Sequence, residues 1–319
     1  MSKIGLYWSF VLCFFLISCH KETVNWNDLY QEPQGVRLNK VYFLNDSVGY
    51  AVGGVRYSAD LMLKTTDGGK TWDSIPQPDL SKSIYGIDFL TPEKGFASCL
   101  DGKILSTTDG GNSWQMLQMG RWFHLYSVDY YSDTLALTVG GDGYAYGMIH
   151  RFGAAGFWQP IDTFPFALKD VQIVSPTVAY ACGYGAILKT EDSGFTWQYT
   201  SAENDFFSAI HFLTPDLGYA VGRTGTILKT QNGGTTWEKL RNGNTLFKER
   251  LRFNDVLFLD AQNGYIVGDN GLFCKTTDGG KTWVNIEKYN KKNLTSLFIL
   301  KQNEGFVSTE DGFILKFKE

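Results

Sequence analysis

The 319-residue chain has little proline (8), little histidine (4) and no excess of positive charge, since 29 Lys+Arg stand against 33 Asp+Glu for a formal net charge of −4. A mildly acidic surface gives nucleic acid no electrostatic footprint, so generic DNA or RNA binding is excluded as a reading. Charged residues make up only 19% and hydrophobic ones 43%, which leaves ample apolar surface to offset chain entropy and argues against disorder. Cysteine is scarce, and no His/Cys spacing suits a metal. No Gly-x-Gly-x-x-Gly follows a strand pattern, and haem, flavin and iron–sulfur motifs are missing, so no cofactor is expected. Against these shortages stand 35 Gly, 17 Tyr, 23 Phe and 9 Trp. Many turn residues and many aromatics predict many short strands.

Long apolar runs are also rare; the main one is Ile4 to Ile17, behind the single cation Lys3. Fourteen residues of helix reach ~21 Å at ~1.5 Å each, short of the ~30 Å of a bilayer core. The run reads as a signal peptide over 1–18 rather than a permanent membrane span. Leu16-Ile17-Ser18-Cys19 resembles the bacterial lipobox, which implies lipidation at Cys19, a tether over 19–23 and an exported protein held at the periplasmic or outer-membrane surface by acyl chains. An ordinary secretory signal cut nearby is the alternative. Cys13 leaves with the signal, while Cys99, Cys182 and Cys274 fall in strand patterns and read as small buried hydrophobes.

Tryptophan sets a period. Lys64-Thr-Thr-Asp67-Gly-Gly-Lys-Thr-Trp72 returns as Ser106-Thr-Thr-Asp109-Gly-Gly-Asn-Ser-Trp114, then around Asp192 and Trp197, Asn232 and Trp237, and Asp278 and Trp283. A degenerate copy ends at Trp158, with Gly153 in place of the acidic residue. With Trp26 added, the spacing is about 40 residues, the scale of one propeller blade. Ahead of the boxes come an apolar–aromatic segment, a small-residue strand such as Gly49-Tyr-Ala-Val-Gly53 or Gly218-Tyr-Ala-Val-Gly222, and a third strand such as Gly185-Ala-Ile-Leu-Lys or Gly225-Thr-Ile-Leu-Lys. Four short strands per repeat predict a seven-bladed all-β propeller over 24–319 with four-stranded blades. The last repeat stops at its third strand, so Val24-Asn-Trp26 is expected to supply the missing outer strand and close the ring.

The box resembles the Asp-box (BNR) repeat of sialidases and other propellers. Asp or Asn suits a side-chain-to-backbone turn, Gly the positive φ, and Trp a hairpin cover. One box per repeat, spread around a rim, points to structure rather than to metal or sugar binding. The whole mature chain is similar to the photosystem II stability/assembly factor family, including its bacterial lipoproteins. That resemblance implies a non-catalytic scaffold binding another protein, here an unidentified envelope or secreted protein. The alternative is a glycan-binding or sialidase-like glycoside-hydrolase propeller. However, the sialidase Phe-Arg-Ile-Pro signature is absent, and glycoside hydrolysis needs two carboxyl groups within about 5–10 Å. Loops opposite the boxes should carry a recognition surface of Arg56, Tyr57, Arg121, Trp122, His124, Tyr144, Tyr146, Arg223 and Arg250, because Trp, Tyr and Arg on a rigid scaffold are hot-spot types. Ordinary solvated loops are the bland reading. Asp142 and Asp269 are the carboxylates on that face, His124 has no Ser or Cys partner in the pattern, and no catalytic residue is assigned.

Overall fold

The computed structural model describes residues 24–77, 80–120, 122–244, 250–285, 289–301 and 303–319. The expected signal peptide, Cys19 and Arg121 lie outside the described residues. Within them every regular element is a strand, apart from two three-residue 3₁₀ turns. No described helix is long and apolar enough to cross a membrane.

Inner, second, third and outer strands follow one another from channel to rim in each antiparallel sheet. In the first they are Leu38–Phe43, Gly49–Val55, Ala59–Thr65 and Asp73–Ser74. Sheets beginning at Ile84, His124 and Phe253 repeat this plan. The closing sheet joins Leu294–Lys301, Glu304–Thr309 and Phe313–Lys318 to the strand Asn25–Gln31. Trp26 lies opposite Phe317 there and packs against Phe273 and Tyr289, each with ring centroids 5.2 Å away. The two ends of the described chain thus share one sheet.

The expectation of seven four-stranded blades is not met. The structure has five four-stranded blades, and residues 168–241 form instead one six-stranded sheet. Its third strand, Gln198–Phe212, pairs first with Ala179–Thr190 and then with Gly218–Gly222. Four other passages from an outer strand to the next inner strand contain Pro76, Gly120, Pro165 or Gly243, and the one between Asn285 and Leu294, which has neither Gly nor Pro, turns through Asn290 and Lys291 at positive φ. Ser201-Ala-Glu-Asn-Asp-Phe206 also has neither Gly nor Pro, and there the chain runs on extended as a single strand, Gln198–Phe212.

The repeated motifs act between neighbouring sheets. Tyr50 and Tyr219 of the Gly-Tyr motif, and Tyr180 of its Ala-Tyr variant, are fully buried and stack on Phe89, Phe258 and Phe212, with centroids 4.7, 3.5 and 3.7 Å apart. Each such aromatic pair adds about 0.5–1.5 kcal/mol beyond its area burial. Tyr50 Oη and Lys64 Nζ both donate to Gly110 O of the next box, at 2.7 Å each. The degenerate repeat keeps the link by other means, for Arg151 Nε donates to Ser193 O at 2.8 Å.

Seven inner segments, counting 207–212, surround a central cavity of ≈ 380 Å³. Each carries a register shift near its start, as between Leu38 and Lys40 or Ile84 and Gly86. Such a bulge turns two successive residues to the same side. The last Gly of Gly-Tyr-x-Val-Gly makes room for it, because a Cβ on Gly53 would lie 1.9 Å from Arg37 O and one on Gly268 2.1 Å from Arg252 O. A glycine repeated in the sequence thereby sets which side chains line the channel.

Candidate functional site

The channel wall is tiered. At the upper tier, Asn39 Nδ2 donates to Ile84 O at 2.7 Å, Ser208 Oγ to Phe253 O at 2.7 Å, Asn254 Nδ2 to Leu294 O at 2.8 Å, and Thr295 Oγ1 to Leu38 O at 2.8 Å. Each clips its own inner segment to the start of the next. The three equivalent positions between them, Tyr85, Tyr126 and Lys169, make no such bond among the described residues. At the lower tier those same three joints are clipped by other side chains. Asp88 accepts from Tyr130 N at 2.7 Å, Asp129 from Ile173 N at 2.5 Å, and Gln172 both accepts from Phe212 N at 2.6 Å and donates to Phe212 O at 3.1 Å. Closure of the ring therefore leaves Tyr85, Tyr126 and Lys169 unused by the seams.

These three residues gather an aromatic and cationic cluster at the mouth of the channel, on the side away from the boxes. Arg56 Nη2 lies 2.7 Å from His124 Nε2, and Tyr85 Oη lies 3.3 Å from His124 Nδ1. The His124 and Tyr126 rings stack with centroids 5.2 Å apart. Lys169 Nζ stands 3.1 Å from the Tyr126 centroid. Phe206 packs against Tyr184 at 3.8 Å, and Tyr184 against Tyr144 at 4.2 Å. Burial, followed by the charges of Arg56 and Lys169, pulls His124 down to about 4. Burial and then Arg223, Arg56 and Arg37 bring Lys169 down to about 7. Neutral imidazole and a readily deprotonated amine thus sit side by side.

Of the residues expected to form a recognition surface, the structure brings Arg56, Tyr57 and His124 together with Tyr85. Trp122 and Tyr144 stand at 79% and 78% exposed, and Tyr57 at 58%. Tyr146 instead packs into the core beside Phe123. Arg223 and Arg252 share Asp269 at 3.5 and 3.7 Å. Arg250 is exposed in the linker before Phe253. Sequence reasoning missed Tyr85, Tyr126 and Lys169, although aligning the inner segments column by column exposes the change from Asn, Ser and Thr to Tyr and Lys.

It also missed the carboxylates inside the cavity, Asp88, Asp129, Asp170 and Asp255. Burial raises Asp88 and Asp129, and the two side chains are hydrogen-bonded to each other. Each of the four nevertheless accepts a main-chain N–H of the next inner segment, Asp170 from Ile210 and Asp255 from Leu297 at 3.0 Å apiece. Lys40 Nζ adds an ion pair to Asp255 at 3.6 Å. They serve as wall fastenings. Among the described residues no three His, Cys, Asp or Glu converge as metal ligands. Cys99, Cys182 and Cys274 are buried free thiols.

The acidic or amide residue of each box is held within its own hairpin. Thr65 Oγ1 donates to Asp67 Oδ1 at 2.8 Å and Thr71 Oγ1 to Oδ2 at 2.7 Å, while Trp72 Nε1 donates to Gly69 O at 3.1 Å. Asp109, Asp192 and Asp278 repeat the carboxylate bonds, and Asn232 does so with its amide, whereas the Trp–Gly bond recurs at Trp197 and Trp283 but not at Trp114 or Trp237. The N–H and hydroxyl of the residue four positions on hold Asp67 at about 2 and do the same for Asp278.

The model of the family "Photosynthesis system II assembly factor YCF48" matches residues 201–293, the stretch holding the two most regular repeats. Solved YCF48 structures superimpose over nearly the whole chain. One, YCF48 bound to a D1 peptide, has a TM-score of 0.73 at 19% identity, covering 92% of this chain and 95% of that one. The fold is a YCF48-like propeller. A second, from Cyanidioschyzon merolae, gives 0.71 at 20% identity over 92% and 98%. A catalytically inactive virginiamycin B lyase from Staphylococcus aureus with quinupristin gives 0.74 at 9% identity over 93% and 99%, so the architecture by itself does not select an activity. No curated protein sequence matches the chain.

Proposed function

We propose that this YCF48-like propeller is a non-catalytic scaffold that binds another protein across the mouth of its channel. The observation that carries the reading is the arc of Tyr85, Tyr126 and Lys169, released from seam duty and flanked by exposed Tyr57, Trp122 and Tyr144. Aromatic and cationic side chains on a rigid rim are the residue types that dominate protein interfaces. A relative described as bound to a D1 peptide supports a peptide segment as the kind of ligand. The Cys19 lipobox further suggests a membrane-tethered protein of the cell envelope, a point settled by labelling with a radioactive fatty acid in the chain and in Cys19→Ala.

The test compares two faces. Crosslinking and recovery from envelope preparations should return a defined partner that is lost with Trp122→Ala/Tyr144→Ala and kept with Phe157→Ala/Phe195→Ala on the box side. Equal recovery by both variants would place the interface elsewhere. Binding on a glycan array, lost with the first variant alone, would replace the protein-partner reading with sugar recognition.

A further inference from the structure

The strand that closes the ring enters from the box side. Asn25 pairs with Lys318 and Gln31 with Phe313, so it starts at the end of the third strand, where complete repeats turn into their boxes, and runs up to the mouth. Cys19 stands five residues before Val24, and five residues reach at most ~18 Å. The strand from Asn25 to Gln31 alone rises ~20 Å at ~3.3 Å per residue. An acyl group on Cys19 therefore reaches a bilayer at the box side and falls short of one at the mouth. A tether at one rim leaves a disc free to swing, so flat docking needs a second contact.

The opposite rim supplies it. Phe157 and Phe195, in the boxes of the third and fourth repeats, are 50% and 54% exposed, and Tyr131, at the foot of the third inner strand, is 39% exposed. Counted around the ring in either direction, these repeats stand farthest from the closing sheet. In the other boxes the residue before Trp is Thr or Ser, whose hydroxyl bonds the box carboxylate or amide, as Thr71 does to Asp67. Gly153 removes the carboxylate, and Phe157 stands where that hydroxyl was. Phe195 replaces the polar Lys70, Asn112, Thr235 and Lys281. It lies 4.3 Å from Arg151 Cζ, whose Nε is fixed on Ser193 O at 2.8 Å. Neither ring belongs to the core.

We infer that the box face rests on a zwitterionic phospholipid surface, with Phe157, Phe195 and Tyr131 inserted at the rim opposite the tether and the channel mouth turned away from the membrane. The orientation rests on the acylated Cys19 of the reading above. Phe places its ring among the acyl chains, while Tyr keeps its hydroxyl among the headgroups. Charge selects the lipid. Exposed Asp46, Glu93, Asp133, Asp216 and Asp260 lie in the turns of this face and outnumber the exposed box cations, Lys70 and Lys281. Anionic headgroups repel such turns, so docking relies on apolar contact. The acyl chains hold the protein and the aromatic residues fix its tilt. The mouth, with Trp122 and Tyr144, is thereby presented to the aqueous side, where a peptide segment can reach it.

The test uses the full chain, processed in the expressing cells, on phosphatidylcholine vesicles. Cys99, Cys182 and Cys274 are buried, so a thiol-reactive NBD fluorophore reports on one introduced cysteine, at Ala154→Cys beside Phe157 or at Ser58→Cys on the mouth side; both positions are exposed. Emission at position 154 should rise severalfold and shift to the blue on vesicles, while that at position 58 stays unchanged. Adding Phe157→Ser and Phe195→Ser should cut the rise severalfold, with flotation on vesicles and near-UV circular dichroism retained. An acylated protein that floats while its label at position 154 stays in water would overturn the inference and leave the anchor standing, as would a rise at position 58 instead. A rise that appears only with phosphatidylglycerol would overturn the choice of lipid. A chain that incorporates no fatty acid would overturn the anchor, and this orientation with it.

Discussion

Two arcs of one ring meet the same demand differently. From residues 207–212 through the closing sheet to Leu38–Phe43, small amides and hydroxyls at the upper tier bind each inner segment to the next. From Ile84–Phe89 to Leu168–Ile173 the upper tier holds Tyr85, Tyr126 and Lys169, and the fastening moves to Asp88, Asp129 and Gln172 below. The first arc fastens at both tiers, with His211 and Asp255 bonding the next segment below; the second fastens at the lower tier and leaves its mouth residues available. A repeat protein can thus acquire a distinct surface without weakening its ring, provided that another position in the same repeat assumes the bond.

The comparison can be broken by substitution. Gln172→Met removes both bonds to Phe212 and strands a buried N–H and C=O, so urea unfolding should show a loss of about 1–3 kcal/mol. Asn254→Leu in the other arc removes the bond to Leu294 O together with one to Asp269, and should cost about 1–2 kcal/mol by the same assay. Lys169→Met should change stability by no more than about 0.5 kcal/mol, since no seam depends on it. If it proved as damaging as Gln172→Met, the division into two arcs would fail.

The smallest effect is in pH. Burial and cationic neighbours hold His124 near 4, and burial alone does so for His150. Unfolding returns both to an ordinary value of about 6.5, where they take up protons. Their contribution is whole above that value and drains away as pH falls toward about 4. The Asp88–Asp129 pair has the opposite sign, because its raised carboxyl groups favour the protonated form and stability declines as pH rises through their range. His150→Leu should therefore flatten the acid limb of a plot of urea midpoint against pH, whereas Asp129→Asn should flatten the fall on the rising side.

Much of this was legible in the sequence. The Trp period predicted sheets around a ring, and Trp26 predicted the closing strand, because a repeat lacking its last strand needs one from elsewhere. The box aspartates read as turn formers and are found hydrogen-bonded within their own hairpins. The six-stranded sheet was not foreseen, because periodicity counts motifs rather than the gaps between them, and the gaps at 201–206 and 286–293 both lack Gly and Pro although only the first runs on as strand. The cavity wall was hidden for a different reason. A bulge sends neighbouring residues such as Asn39 and Lys40 inward together, and strict alternation along a strand assigns one of them to the wrong side.

The pairing of Asn25 with Lys318 has a consequence for biogenesis. That contact joins positions at opposite extremes of the described chain, so the entropy of the largest loop must be overcome for a single pair of strands. A ribosome delivers Phe313–Lys318 after every other sheet. Until then Asn25–Gln31 has no neighbour, and the nascent molecule remains an open crescent with an unpaired edge available to other chains.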